Sequence, residues 1–273
     1  RRWRRRLPCP LARAPAVQAA AMSTEADFDL WARARVDARA DFDGPPPVRT
    51  VFGYGSLIFR PGFEYTRAYP ACVRGFLRRF WQRSCDHRGT PEAPGRVVTL
   101  VRAEDVTEGG AAPSAPPGAA PDAGADGAAQ AAAAVYGIAY EVDEEQWPSV
   151  LAGLDIRERH GYVRTAADLF DPDAARAAEG GACARAIGRA VVYHAHEPAG
   201  NAAYCGPEAV ASTAEVIATA CGPSGRNADY LFHLAESLGR WGLPPDPYLD
   251  ELAQRVRAIT QCAADAAAPA RAL

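Results

Sequence analysis

Two stretches of this chain combine residue types and spacing suited to chemistry. The first is Gly53-Tyr54-Gly55-Ser56-Leu57, a glycine-bracketed turn directly behind the apolar pair Val51-Phe52. Glycine lets backbone N–H groups come close to a ligand. The turn lacks the third glycine and following helix of a dinucleotide site. It has no lysine for a phosphate loop, and no G-x-S-x-G elbow presents Ser56 as a nucleophile. A β-bulge or tight turn with no ligand would use the same residues.

The second is Glu158. Val150, Leu151 and Leu154 form an apolar helical stripe, and Glu158 falls four residues past Leu154 on the same face. Gly161 offers a helix stop, which puts Glu158 in the last turn. The negative end of the helix dipole and an apolar face both raise the pKa of a carboxylate toward neutrality, where a general acid/base works well. Arg157 and Arg159 flank it and are expected to point elsewhere around the helix. The alternative is an ordinary amphipathic helix whose wet last turn pairs Glu158 with an arginine.

Two further groups carry weaker signals. Arg78-Arg79-Phe80-Trp81-Gln82 with Asp86-His87-Arg88-Gly89 offers guanidinium groups for a carboxylate, or simply an aromatic strand with a charged hairpin end. His194 and His196 share one strand face, but no third ligand is spaced to join them. No metal is expected, and both imidazoles are read as solvent-facing.

The elements that must position these residues follow from pattern. Strands are expected at 51–52, 73–82, 97–101, 135–142 and 190–193, with a helix over about 144–160. The C-terminal third reads as three helices, with Pro207 at the first position of one, then 228–241, then a start near Pro247. Strands first and helices last is an α+β pattern. Residues 104–134 are mostly Ala, Gly, Pro and Asp with no aromatic residue, which marks a disordered insertion. A second loose insertion is expected near 171–189. The domain then spans 48–262, between an extension at 1–47 and a disordered tail at 263–273.

Over 273 residues, 30 basic side chains, all arginine, meet 33 acids, so the total charge signals no nucleic-acid partner. No apolar run approaches the roughly 20 residues of a membrane span. Seven scattered cysteines without a C-x-x-C pair fit a reducing, cytoplasmic setting. The Arg-rich first 21 residues read either as an organellar transit peptide or as residues ahead of a true start at Met22.

Six blocks raise these motifs above the generic. They are Gly53-Tyr54-Gly55-Ser56-Leu57-Ile58, Arg79-Phe80-Trp81-Gln82, Asp86-His87-Arg88-Gly89-Thr90-Pro91-Glu92, Pro94-Gly95-Arg96-Val97-Val98-Thr99-Leu100, Leu154-Asp155-Ile156-Arg157-Glu158 with Gly161-Tyr162, and Gly222-Pro223-Ser224-Gly225-Arg226-Asn227. In this order, from about Val51 to Arg255, the chain resembles the ChaC-like family of glutathione-specific γ-glutamylcyclotransferases. Phe59 stands where that family often has Trp, Arg159-His160 replaces Lys-Gly, and Cys205 follows Tyr204 where Leu is usual.

The resemblance implies a γ-glutamylcyclotransferase-like mixed, largely antiparallel β-barrel with flanking and C-terminal helices. It implies cytosolic cleavage of glutathione to 5-oxoproline and cysteinylglycine. No cofactor, membrane, nucleic acid or obligate protein partner is implied. Its substrate loop falls on Gly53, Tyr54, Gly55, Ser56 and Leu57, and its catalytic glutamate on Glu158. The loop N–H groups would then bind either the glutamyl carboxylate or the developing oxyanion. Competing readings are ring closure on other γ-glutamyl compounds, a serine hydrolase built on Ser56, and a non-catalytic glutathione-binding regulator.

Overall fold

The computed structural model describes residues 49–106, 133–158, 161–177, 185–195 and 201–267. The expected extension at 1–47, most of the insertion at 104–134, His160 and His196 lie outside them.

Strand β1 (Thr50–Gly53) organises the fold. Successive side chains on a strand point to opposite faces, so Phe52 enters the main hydrophobic core and Val51 a smaller one. β1 pairs antiparallel with β5 (Ala134–Glu141) and parallel with β7 (Gly188–Ala195). β5 pairs with β2 (Arg67–Arg74), and β7 with β6 (Tyr162–Leu169), both antiparallel. The order is β2-β5-β1-β7-β6. A separate antiparallel ribbon joins β3 (Phe76–Ser84) to β4 (Gly95–Arg102). A short ladder, β8 (Cys221–Gly222) and β9 (Gly225–Arg226), precedes the last two helices.

The mixed, largely antiparallel sheet with helices around it agrees with expectation, but among the described residues it does not form a closed barrel. Its edges meet at a single bridge, where Cys72 and Phe170 exchange two 2.9 Å backbone hydrogen bonds. In that register the next hydrogen-bonded pair would be Pro70 and Pro172. Neither has an N–H to donate, so the seam cannot extend in that direction.

The single strand expected at 73–82 is two strands. They break at Gly75, whose positive φ of 75° is easy only for glycine. Gly75 also pins its neighbours: its N–H donates to Ala133 O and its carbonyl accepts from Ala103 N–H, both at 2.9 Å. In the second expected insertion, residues 172–177 form helix α2 (Pro172–Ala177) and β7 starts at Gly188.

Helix α1 (Trp147–Arg157) lays Val150 and Leu154 on the smaller core beside Val51, Leu57 and Tyr193. Helices α3 (Val210–Thr219), α4 (Asn227–Arg240) and α5 (Pro247–Ala267) cover the main core through Ile217, Leu231, Leu234, Leu249 and Leu252. The last helix therefore runs into the stretch expected as a tail. Helix α3 starts at Val210, not Pro207. Just ahead of it, Glu208 takes two 2.9 Å bonds from Arg96 and one of 3.0 Å from Thr213.

The join between α4 and the ribbon rests on Asn227, which is wholly buried. Its Oδ1 accepts from Arg96 N–H at 2.6 Å and its Nδ2 donates to Arg96 O at 2.8 Å. A buried backbone group stripped of its partner costs roughly 1–3 kcal/mol. Asn227→Ala is therefore expected to lower the unfolding free energy by about 2 kcal/mol or more, read from urea denaturation. A loss below about 0.5 kcal/mol would show that water replaces the amide.

Candidate functional site

β1 delivers the chain to the point where the two cores meet, and a cavity of about 390 Å³ opens there. That lies within the roughly 300–1,000 Å³ of ligand clefts. Its walls are the turn after β1, the end of α1, the far end of the β3–β4 ribbon and the first turn of α4.

One wall is a 3-10 turn, Ser56–Ile58, entered through Gly55. Ile58 N–H donates to Gly55 O at 3.0 Å, and Arg60 N–H to Ser56 O at 2.7 Å. Tyr140 from β5 donates its hydroxyl to Leu57 O at 2.8 Å, and Tyr54 donates to Tyr193 O at 2.6 Å. No side chain caps the turn, so the N–H groups that open it are left for a ligand. Gly55 has to be glycine for closeness: a Cβ there would sit 2.6 Å from Val98 Cγ1. Leu57 packs its side chain into the smaller core and so anchors this wall.

Opposite lies Glu158, the residue that ends α1. Its N–H still donates to Leu154 O at 2.8 Å. Its φ and ψ of −96° and 16° have already left the helix, so its side chain no longer diverges from that of Arg157. The expected separation of the two is overturned: Arg157 Nε lies 3.3 Å from Glu158 Oε1. Burial pushes the Glu158 carboxyl above the ordinary range, and Arg157 and His87 pull it partly back. Tyr54, Tyr162 and Tyr230 surround it. Burial is the main cause that holds all three phenols well above their usual range, and the Glu158 charge adds to it.

Arg157 reaches further. Its Nη2 donates to Ser56 Oγ at 2.7 Å, and its Nη1 to Arg60 O at 3.0 Å and Pro61 O at 2.9 Å. The Ser56 hydroxyl thus accepts from a guanidinium, which cannot take a proton as a nucleophile's base must. His87 lines the same cavity but pairs with Ser224 Oγ at 3.0 Å.

The arginine and aromatic block divides in two. Arg78 is buried in an ion pair with Asp246 at 2.8 Å, and Arg79 lies over Trp81 and Tyr248. Asp86, His87 and Arg88 instead line the cavity. Arg88 sits 5.4 Å over the Tyr230 ring, and burial lowers its pKa. Ser224 N–H donates to His87 O at 2.9 Å, so the loop around Gly222 and Ser224 holds this hairpin in place. His194 is buried against Phe76, with Nδ1 2.9 Å from Ala195 O, and is not solvent-facing.

The roles of Arg157, Tyr162 and Tyr230 escaped sequence reasoning. Tyr230 has the spacing of a core residue on α4 and no other mark. The adjacency of Arg157 to Glu158 was visible, but an intact helix would have hidden its consequence.

The chain matches the model of the ChaC-like protein family over residues 49–259. It is 34% identical over 235 residues to the glutathione-specific γ-glutamylcyclotransferase of Saccharomyces cerevisiae, covering 76% of this chain and 94% of that protein. It is 34% identical over 211 residues to γ-glutamylcyclotransferase 2-3 of Arabidopsis thaliana, covering 77% and 88%. A crystal structure of a γ-glutamyl cyclotransferase specific to glutathione from yeast superposes with a TM-score of 0.62 at 32% identity, covering 77% of this chain and 95% of that one.

A carboxyl whose pKa is higher folded than unfolded stabilises the fold below the unfolded value and ceases to as pH rises through the folded one. Above its raised pKa the ionised Glu158 therefore costs stability. Glu158→Gln is expected to melt at a higher temperature than the wild type at pH 8, with the gain shrinking toward pH 4.5. Thermal melts at the two pH values check this, and a larger gain at the acid end would contradict it.

Proposed function

The chain belongs to the ChaC-like family, and from that premise we propose that it is a glutathione-specific γ-glutamylcyclotransferase with Glu158 as its acid/base. The observation that carries the assignment is a carboxylate, Glu158, largely withdrawn from solvent at 18% side-chain exposure and facing an uncapped turn across one cavity.

In glutathione the α-amine and the γ-amide carbonyl belong to one γ-glutamyl unit. The α-ammonium, with a pKa of about 8, needs a base. Glu158, its pKa raised by burial, accepts that proton in its carboxylate form. The freed amine then attacks the γ-carbonyl carbon, the C–N bond of a five-membered ring forms, and the carbonyl electrons move onto oxygen. Glu158 gives that proton to the departing cysteinyl nitrogen as the carbonyl re-forms and the amide bond breaks. The second proton, shed by the ring nitrogen, passes by way of Glu158 to the product amine, giving 5-oxoproline and cysteinylglycine. The ring closes within one molecule, so orientation supplies much of the rate, up to about 7–11 kcal/mol in well-aligned cases.

In this scheme the N–H groups at Gly55 and Ser56 hold a substrate oxygen, with Tyr54, Gly53 and Leu57 shaping and anchoring that wall. Tyr162 and Tyr230 keep their protons and supply polar lining without competing for the base. The route calls for no cofactor or metal. Arg60 and Arg88 line the same cavity within electrostatic reach of each other, which favours a substrate with a second carboxylate, such as glutathione, over γ-glutamyl amines. We place the activity in one domain over 48–262 and, from the cysteine pattern, in the cytoplasm.

Incubation with glutathione is expected to release equal amounts of 5-oxoproline and cysteinylglycine, separated by chromatography. Glutathione should be turned over faster than γ-glutamyl-alanine. Glu158→Gln should stay folded and lose turnover by at least about a hundredfold. Tight glutathione binding without product would instead identify a non-catalytic binder.

A further inference from the structure

Arg157 has a part that the acid/base scheme does not use. A guanidinium offers five N–H donors in a rigid, planar fork. Here the fork spans both walls of the cavity. Nη1 serves two carbonyl oxygens beyond the 3-10 turn, Arg60 O and Pro61 O, and Nη2 serves the hydroxyl of Ser56 inside it. Nε faces Oε1 of Glu158 at 3.3 Å. The turn comes from β1 and the carboxylate from α1, and the two elements meet mainly through side chains of the smaller core.

We propose that Arg157 is a positioning residue for this reaction, one group that fixes the uncapped turn and the Glu158 carboxylate in a single geometry. The inference rests on the cyclotransferase reading. It assigns Arg157 two separable tasks, a clamp made by the shape of the fork and a charge set beside the base.

The charge matters because of what else faces Glu158. The turn contributes Tyr54, β6 contributes Tyr162 and α4 contributes Tyr230, all three protonated. The β3–β4 hairpin contributes His87, which is exposed and shared with Ser224 and Asp86. Asp86, Arg83 and Arg88 of that hairpin and Arg60 of the turn line the same cavity, but the charges that act on the carboxylate are Arg157 and His87. Arg157 is thus the permanent cation in contact with the base. Without it, burial alone would keep Glu158 protonated to higher pH, and only the ionised form can take the substrate's proton.

Three variants separate the two tasks. In Arg157→Met the acid limb of the pH profile of kcat/KM is expected to move up by about one pH unit, the size of an opposite charge at this range. The KM for glutathione should rise as well. In Arg157→Lys the charge remains but the fork is lost, so the limb should stay within about 0.3 pH units of wild type while KM rises about tenfold, as for one or two lost hydrogen bonds. In Ser56→Ala, which loses one arm of the clamp and no charge, KM should rise and the limb should not move.

Carboxyl NMR titration of glutamate-labelled protein, with the Glu158 signal identified by its loss in Glu158→Gln, reads the same shift without turnover. A Glu158 titration in Arg157→Met that coincides with wild type overturns the proposal. So does Arg157→Lys with an unchanged KM, and this second measurement decides the matter if Arg157→Met does not fold. Should the wild type turn over no glutathione, the cyclotransferase reading fails while the titration still tests the contact between Arg157 and Glu158.

Discussion

A carboxylate removed from water must either pick up a proton or find compensation, and the arrangement around Glu158 follows from that constraint. Three phenols form most of its surroundings and bring no charge. One guanidinium is in contact and one exposed imidazole is within reach. More cations would hold the group ionised through the reaction and stop it from returning a proton. None would leave it protonated when the substrate arrives. In the proposed scheme the balance of burial upward and two partners downward serves both steps.

The fold supplies this balance by splitting its interior. Phe52 and Val51 send one strand's two faces into different cores. The larger core carries α4 and so brings Tyr230. The smaller carries α1 and so brings Arg157 and Glu158. The turn after β1 is where the two cores meet, and Tyr140 fixes it from beneath through Leu57 O. The geometry of the cavity is thus a by-product of packing on both sides of a four-residue strand, and loosening either core would move one wall against the other.

Much of this was legible from sequence. The strand expected at 135–142, the apolar stripe of α1 and a turn at the glycines around Tyr54 could each be read from pattern, and the structure has all three. What was not legible depended on where regular geometry stops. Arg157 touches Glu158 because the helix ends at Arg157, about three residues earlier than the expected 144–160. The strand at 73–82 divides at Gly75, where a positive φ is needed and composition alone gives no hint. The imidazole of His194 is buried because β7 is covered on that face, a tertiary fact with no local signature. In contrast, one limit on the seam is written in the chain, since Pro70 and Pro172 would form its next pair on one side, but only the register reveals it.

The pin at Gly75 bears on chain length. The chain departs after Ala103, pinned through Ala103 N–H, and comes back at Ala133, pinned through its carbonyl, both to the same residue. The ends of whatever lies between are therefore closed by the sheet itself. Closing a loop costs only about 0.6 kcal/mol more for each doubling of its length. Gly75 also precedes β3, while Gln82 and Ser84 near the other end of that strand line the cavity. This junction is thus a splice point, where material can be gained, shortened or exchanged for a reporter domain at little thermodynamic penalty and without mechanical access to the chemistry.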